Sequence, residues 1–304
     1  MNPNPIAIAI SDLHLNLLQP ACRADKDWME VQASYLKQVR DWAEGLPILC
    51  AGDIFDKWNA PPELINFALK HLPDKMYCVP GQHDLPLHRM DLMHRSGYGV
   101  LKRVGKIQDL IGPLCTVPAG TELRIYGCGW EEEIEPLHTS SGHKDGAIDI
   151  ALLHRYVWTK DKSYPGAPAS SNVAALSKSL KGYDIAICGD NHMGFLAQAG
   201  DCRVLNVGGF IRRKSDEIDY EPAVGIIYSD GTVKRRRLDT SIDRFHETVK
   251  DRKEVPFDMK AFLDGLEGLG EHGLDFRQAV ENHIRSEGVP STTAKIILAA
   301  IETK

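Results

Sequence analysis

The sequence predicts an α/β fold followed by a helical tail, and three observations predict it. Short apolar runs of strand length recur through the first three quarters of the 304 residues. The early runs are separated by longer stretches with helical periodicity. After about Ser241 the strand pattern stops.

Taken in order, the runs are Ile6–Ile10, Ile48–Cys50, Met76–Val79, Arg124–Cys128, Ile148–Leu153, Ile185–Cys188, Arg203–Val207 and Ala223–Tyr228, each rich in Ile, Val, Leu or Cys. Between the first two, Asp27–Glu44 places Trp28, Val31, Tyr35, Val39 and Trp42 at helical spacing. Pro61–Leu72 reads as a second helix with prolines at its start, where an N–H has no helical partner to lose. From about Ile185 strands succeed one another over short turns, and Asp230-Gly231 marks a hairpin between Ile226–Ser229 and Thr232–Arg237. Ser163–Ser171, rich in Pro, Gly and Ala, is the expected exposed loop. In the tail, Met259–Leu269, Phe276–Ser286 and Thr292–Thr303 read as helices, the last with Ser291 as N-cap. The expected division is a catalytic domain over 1–240 and a small helical C-terminal appendage over 241–304, able to pack on the sandwich, cap the substrate or bind a protein partner.

A composition of 43% hydrophobic and 26% charged residues is that of a globular protein. No apolar run approaches the roughly 18 residues a membrane span needs. The N-terminus has no positive segment, and Ile6–Ile10 leads at once into Asp12 and His14, so no secretory signal is predicted. Seven cysteines without a C-x-x-C pair read as free thiols in a reducing, cytoplasmic setting. A net charge of -6 argues against a protein coated in basic patches. It leaves a nucleic-acid substrate open, because a metal centre supplies its own positive field.

The residues that carry the chemistry stand at the ends of the strands. Asp12 and His14 come directly after the first, Gly52-Asp53 after the second, Gly81-Gln82-His83-Asp84 after the third, His154 after Ile148–Leu153, and Gly189-Asp190-Asn191-His192 after Ile185–Cys188. In open α/β sheets ligands bind beyond the carboxyl ends of the strands, so five such endings predict one convergent site. His nitrogens mixed with Asp and amide oxygens suit manganese, iron, zinc or magnesium, and the lack of Cys ligands argues against structural zinc. A carboxylate has two oxygens and can bridge ions roughly 3.5–4 Å apart. Asp53 is the expected bridge.

This series, Asp12-Leu13-His14, Gly52-Asp53, Gly81-Gln82-His83-Asp84, His154 and Gly189-Asp190-Asn191-His192, resembles the signature of the calcineurin-like metallophosphoesterases and covers roughly the first 210 residues. The resemblance implies a four-layer α/β/β/α sandwich and two divalent ions. Asp12, His14 and His192 would hold one ion, Gln82, His154 and Asp190 the other, and Asp53 would be shared. It implies that a water bridging the ions becomes the nucleophile, that His83 gives a proton to the leaving oxygen, and that Asp84 orients the His83 ring. Two positions depart from the family pattern: Gln82 stands where Asn is usual, and Asp190 where His is usual. Three carboxylates against two divalent ions leave 4 − 3 = +1, where the usual two leave +2, which favours harder ions, manganese first.

Asn206-Val207-Gly208-Gly209, with Arg212, Arg213 and Lys214 just beyond, resembles the turn that trails the last motif in the SbcD-like DNA repair exonucleases. Arg212 and Arg213 could steer a polyanion such as DNA or RNA. Arg155, Tyr156 and Trp158, just after His154, either contact substrate or pack their own loop. Lys234-Arg235-Arg236-Arg237 reads as a solvated edge strand. The function expected is a phosphodiesterase or nuclease; the alternatives are a phosphomonoesterase and a scaffold with a degraded metal site.

Overall fold

A run such as Pro5–Ile10, buried at every position after the first, can only lie between two covering layers. The computed structural model places it so, and describes residues 3–112, 114–137, 146–160, 162–164 and 167–246. The first sheet contains β1 (Pro5–Ile10), β2 (Ile48–Cys50), β3 (Met76–Cys78), β4 (Ile107–Asp109), β11 (Ala223–Tyr228) and β12 (Val233–Arg237), in the order β12-β11-β1-β2-β3-β4. β1 to β4 are parallel, and β11 and β12 are antiparallel additions. The second sheet contains β5 (Cys115–Pro118), β6 (Glu122–Cys128), β7 (Ile148–Leu153), β8 (Ile185–Cys188), β9 (Phe195–Ala199) and β10 (Cys202–Asn206), in the order β5-β6-β7-β8-β10-β9. Its four central strands are parallel.

Side chains alternate faces along a strand. Ala7 and Ala9 therefore meet Leu152, Ile187 and Leu205 of the second sheet, while Ile8 and Ile10 face outward onto helices. The helices are α1 (Trp28–Ala43), α2 (Pro62–His71) and α3 (Gly97–Arg103). α1 starts where predicted because the Asp27 side chain accepts the Glu30 N–H, and it ends at Glu44 in the left-handed conformation. On the far side of the second sheet the covering layer, among the described residues, is formed by the 3-10 turns Ala169–Ser171 and Val173–Ser177, with Val173, Leu176 and Leu180 over Ala151, Leu153 and Val204. The result is the two-sheet sandwich expected, with α-helices on one face and 3-10 turns on the other. Strands β4, β5 and β9 and helix α3 were not legible as periodic runs; β4 and β5 have three and four residues.

β12 is an edge strand, as its basic run suggested, and Arg236 lies over the Trp42 ring at 3.8 Å. All seven cysteines are free. Among the described residues no helix is long and apolar enough to cross a membrane. Residues 239–246 pack back on the first sheet's helical side: buried Asp243 accepts from Arg23, Tyr35 and Arg212. The three expected tail helices lie outside the described residues.

Candidate metal centre

Four polar residues at the strand ends sit in the left-handed region, where L side chains are disfavoured: Asp12 (φ 51°), His14 (φ 44°), Asp53 (φ 54°) and Asp190 (φ 74°). Asp tolerates this conformation better than most residues, and its recurrence in one place marks a site whose side-chain aim outweighs backbone comfort. Glycine makes room. A Cβ on Gly81 would fall 2.1 Å from Asp53 Oδ1, and one on Gly52, itself at φ +94°, 2.3 Å from His154 Nδ1.

The first cluster is Asp12, His14 and His192. Asp12 is 1% exposed and accepts the Asp190 N–H with both oxygens, at 3.1 and 3.2 Å. His14 Nε2 and His192 Nε2 face each other at 3.1 Å, each 3.8 Å from Asp12 Oδ1. Burial, aided by the Arg213 charge, holds the His14 ring well below the usual histidine range, so it is a neutral base. Two imidazole nitrogens pointed at one another beside a carboxylate are an arrangement that a cation between them would satisfy.

The second cluster is Asp12, Asp53 and His154. His154 is 1% exposed; its Nδ1 donates to the Ala51 carbonyl at 2.6 Å, and its Nε2 lies 2.5 Å from Gln82 Oε1. Gln82 Nε2 in turn donates to Asp190 Oδ1 at 2.8 Å. Burial opposes charge on His154, but the carboxylates of Asp53, Asp12 and Asp190 outweigh it and draw the ring up to about 9. Asp53 joins the clusters. Its Oδ1 accepts the His83 N–H at 3.0 Å, while its buried Oδ2 has no hydrogen-bond partner and lies 3.6 Å from both His14 Nε2 and His154 Nε2. Burial pushes the Asp53 carboxyl well up, a cost the fold accepts at this position.

His83 is half-buried beside the first cluster, its ring centroid 4.8 Å from that of His14. The partner predicted for its ring is corrected. Asp84 is fully buried and accepts backbone N–H groups of Ile54, Phe55 and Gly81, so it braces the loops rather than the imidazole. His83 Nδ1 instead donates to the Asp56 carbonyl at 2.7 Å. A main-chain acceptor on the loop after β2 leaves no side-chain signal in the sequence.

A cavity of about 770 Å³ opens over these groups, with His14, His83, His192, Tyr164, Arg213 and Tyr220 in its wall. The cationic residues behave differently from expectation. Arg212 turns away: its guanidinium pairs with Asp243 at 2.7 Å, donates to the Ile218 carbonyl and lies over Phe245. Arg213 reaches the cavity, yet its guanidinium is paired with Asp56. Arg155 bonds Glu133 and is absent from the cavity wall, while Trp158 donates to the Pro168 carbonyl and Tyr156 packs on Tyr164. These are loop-packing roles. Sequence reasoning missed Glu217, whose Oε1 lies 3.6 Å from His192 Nδ1, and Asn206, which donates to the Asn191 and Met193 carbonyls and fixes the turn carrying His192. The Asn206-Gly-Gly stretch was visible; its tie to His192 was not.

Hard or borderline divalent cations fit this donor set, because an orphaned buried carboxylate oxygen stands between two groups of His and Asp donors. Among solved structures the fold is similar to sulfate thiohydrolase SoxB from Thermus thermophilus (12% identity, TM-score 0.46, covering 82% of this chain and 60% of that one). It is likewise similar to a 5'-nucleotidase precursor from Thermus thermophilus (14%, 0.46, 87% and 59%) and to an archaeal phosphodiesterase (13%, 0.37, 76% and 99%). The chain spans about 60% of the length of the first two. No curated protein sequence matches it. The family model for calcineurin-like phosphoesterases matches residues 7–194, the stretch that contains every proposed ligand. The chain therefore belongs to the calcineurin-like phosphoesterase family.

Proposed function

We propose that this chain is a phosphodiesterase acting on nucleotides or nucleic acid, with manganese as its working metal. The observation that carries the reading is Asp53 Oδ2, buried, free of hydrogen bonds and 3.6 Å from a histidine nitrogen on either side. Asp12, His14 and His192 would hold one ion and Gln82, His154 and Asp190 the other, with Asp53 shared. When bound, the ions supply Lewis acidity that offsets phosphoryl charge and acidifies water. Three carboxylates in the set favour a hard cation.

The chain's own residues do the rest. His83 Nδ1–H is committed to the Asp56 carbonyl, which leaves Nε2 as the nitrogen able to carry a proton to a leaving oxygen. A diester presents one negative charge at the reacting phosphate and a monoester nearly two. Among the described residues in the cavity wall the cations are Arg213, already paired with Asp56, and Lys214, and the carboxylates of Glu217 and Asp219 line the same wall. That wall suits the smaller charge. Tyr164 and Tyr220 line the same cavity, and aromatic side chains there are of the kind that stack on a base. An SbcD-like nuclease role is one form of this reading, though Arg212 lends it no support.

The test is hydrolysis of bis-p-nitrophenyl phosphate beside p-nitrophenyl phosphate, with manganese, magnesium or chelator. Manganese-dependent diester cleavage that falls about 10²–10⁴-fold in His83→Ala is expected. Cleavage of the monoester alone would point to a phosphatase, and turnover unaffected by chelator would overturn the reading.

A further inference from the structure

The metal centre proposed for this site leaves one face of His192 unexplained. Its Nε2 points at His14 Nε2 and Asp12, so for that nitrogen to donate to a cation the ring must carry its proton on Nδ1. Nδ1 points the other way, toward Glu217 Oε1 at 3.6 Å, an ion-pair distance that a small ring rotation would turn into a hydrogen bond. Glu217 is itself held: its Oε2 accepts the Arg213 N–H at 2.6 Å and the Lys214 N–H at 3.1 Å. His14 repeats the pattern. Its Nδ1 has no hydrogen-bond partner and lies 3.6 Å from Asp56 Oδ1, the oxygen paired with the Arg213 guanidinium. One residue, Arg213, thus grips both carboxylates that stand behind the two facing histidines, by its main chain on one side and its side chain on the other. The matched family region ends at residue 194, so the Arg213–Glu217 turn lies beyond it.

Resting on that metal-centre reading, we infer that Glu217 is a positioning residue for His192: the carboxylate fixes the Nδ1–H tautomer and ring orientation and raises the basicity of Nε2 toward the metal, with Arg213 holding it in place. Carboxylate backing of a ligating imidazole is worth about 10–100-fold in metal affinity. Glu217→Gln keeps an oxygen that can accept the Arg213 and Lys214 N–H groups, so the turn is expected to survive. Asp216→Asn is the control, because it removes the same charge from an exposed neighbour in the same turn.

The experiment is calorimetric titration of manganese alone into the full chain, with the absorption spectrum of the cobalt-loaded protein as second readout. Glu217→Gln is expected to weaken one of two manganese sites about 10–100-fold and shift the cobalt bands, while Asp216→Asn leaves both within about threefold. Wild-type affinity and an unchanged spectrum in Glu217→Gln overturn the inference. Equal weakening in Asp216→Asn also overturns it, since the effect would then be net charge. Failure of the wild type itself to bind manganese overturns the metal-centre reading and this inference with it. A Glu217→Gln chain with a lowered metal-free melting temperature but an unshifted cobalt spectrum assigns Glu217 to the fold alone.

Discussion

Metal binding at this site has a thermal signature large enough to test the shared role of Asp53. A cation that binds only the folded chain stabilises it by about 2.7 kcal/mol when present at 100 times its dissociation constant. Two ions give about 5 kcal/mol. The site lies in a unit spanning Met1–Lys250, and for domains of that size each kcal/mol moves the melting temperature by roughly 2–4 °C. Saturating manganese should therefore raise the melting point by about 10–20 °C over chelated protein. Because Asp53 Oδ2 stands 3.6 Å from a donor in each cluster, Asp53→Asn should remove most of the rise. His192→Ala touches one cluster and should leave about half. The assay is thermal unfolding by fluorescence and circular dichroism with a manganese series and chelator controls. If Asp53→Asn kept half of the rise or more, Asp53 would serve one ion or none, and the bridging argument would fail.

The same geometry has other consequences. Gly81→Ala drives a Cβ to 2.1 Å from Asp53 Oδ1 and 2.7 Å from His154 Cε1, so it should cost about 1–3 kcal/mol and lower metal content; urea unfolding and elemental analysis measure both, and wild-type values would show that the loop has slack. Arg23 and Asp243 form a fully buried pair, and Arg23→Ala leaves Asp243 with Arg212 and Tyr35 only, so a loss of about 3–5 kcal/mol is expected in urea unfolding; a loss under about 1 kcal/mol would mean that those two suffice. Burial pushes the Glu217 carboxyl up, but the His192 ring and the Arg213 and Lys214 N–H groups outweigh it and hold it down at about 2 against an ordinary 4.5. A depressed carboxyl stabilises the fold above 4.5 and loses that contribution as pH falls from 4.5 toward 2, here on the order of 3 kcal/mol in chelated protein. Glu217→Gln should flatten that part of the acid-unfolding profile, and superimposable profiles would remove Glu217 from the account.

The strand–helix order, the ends of α1 and the sequence of site residues were legible because each rests on local physics. An apolar run of strand length needs two covers, Asp27 is a cap by its own side chain, and a polar residue directly after a buried strand has little choice but to point beyond the sheet. Asp12, His14, Asp53, Gln82, His83, His154, Asp190 and His192 could be named from those strand ends, and the structure gathers all of them at one end of the sandwich. What tertiary structure decided is which group backs which. Arg212 and Arg213 are adjacent and chemically identical, yet one is drawn to Asp243, which lies 31 residues on, and the other to Asp56, 157 residues back, because the turn between β10 and β11 sends successive side chains to opposite sides. The bond from His83 to the Asp56 carbonyl and the approach of Glu217 to His192 leave no pattern in sequence: one partner is a main-chain atom and the other lies beyond the last motif. Spacing along a chain reports direction at a strand end, but contacts between loops depend on how two sheets stack, and that is set by packing across the whole core.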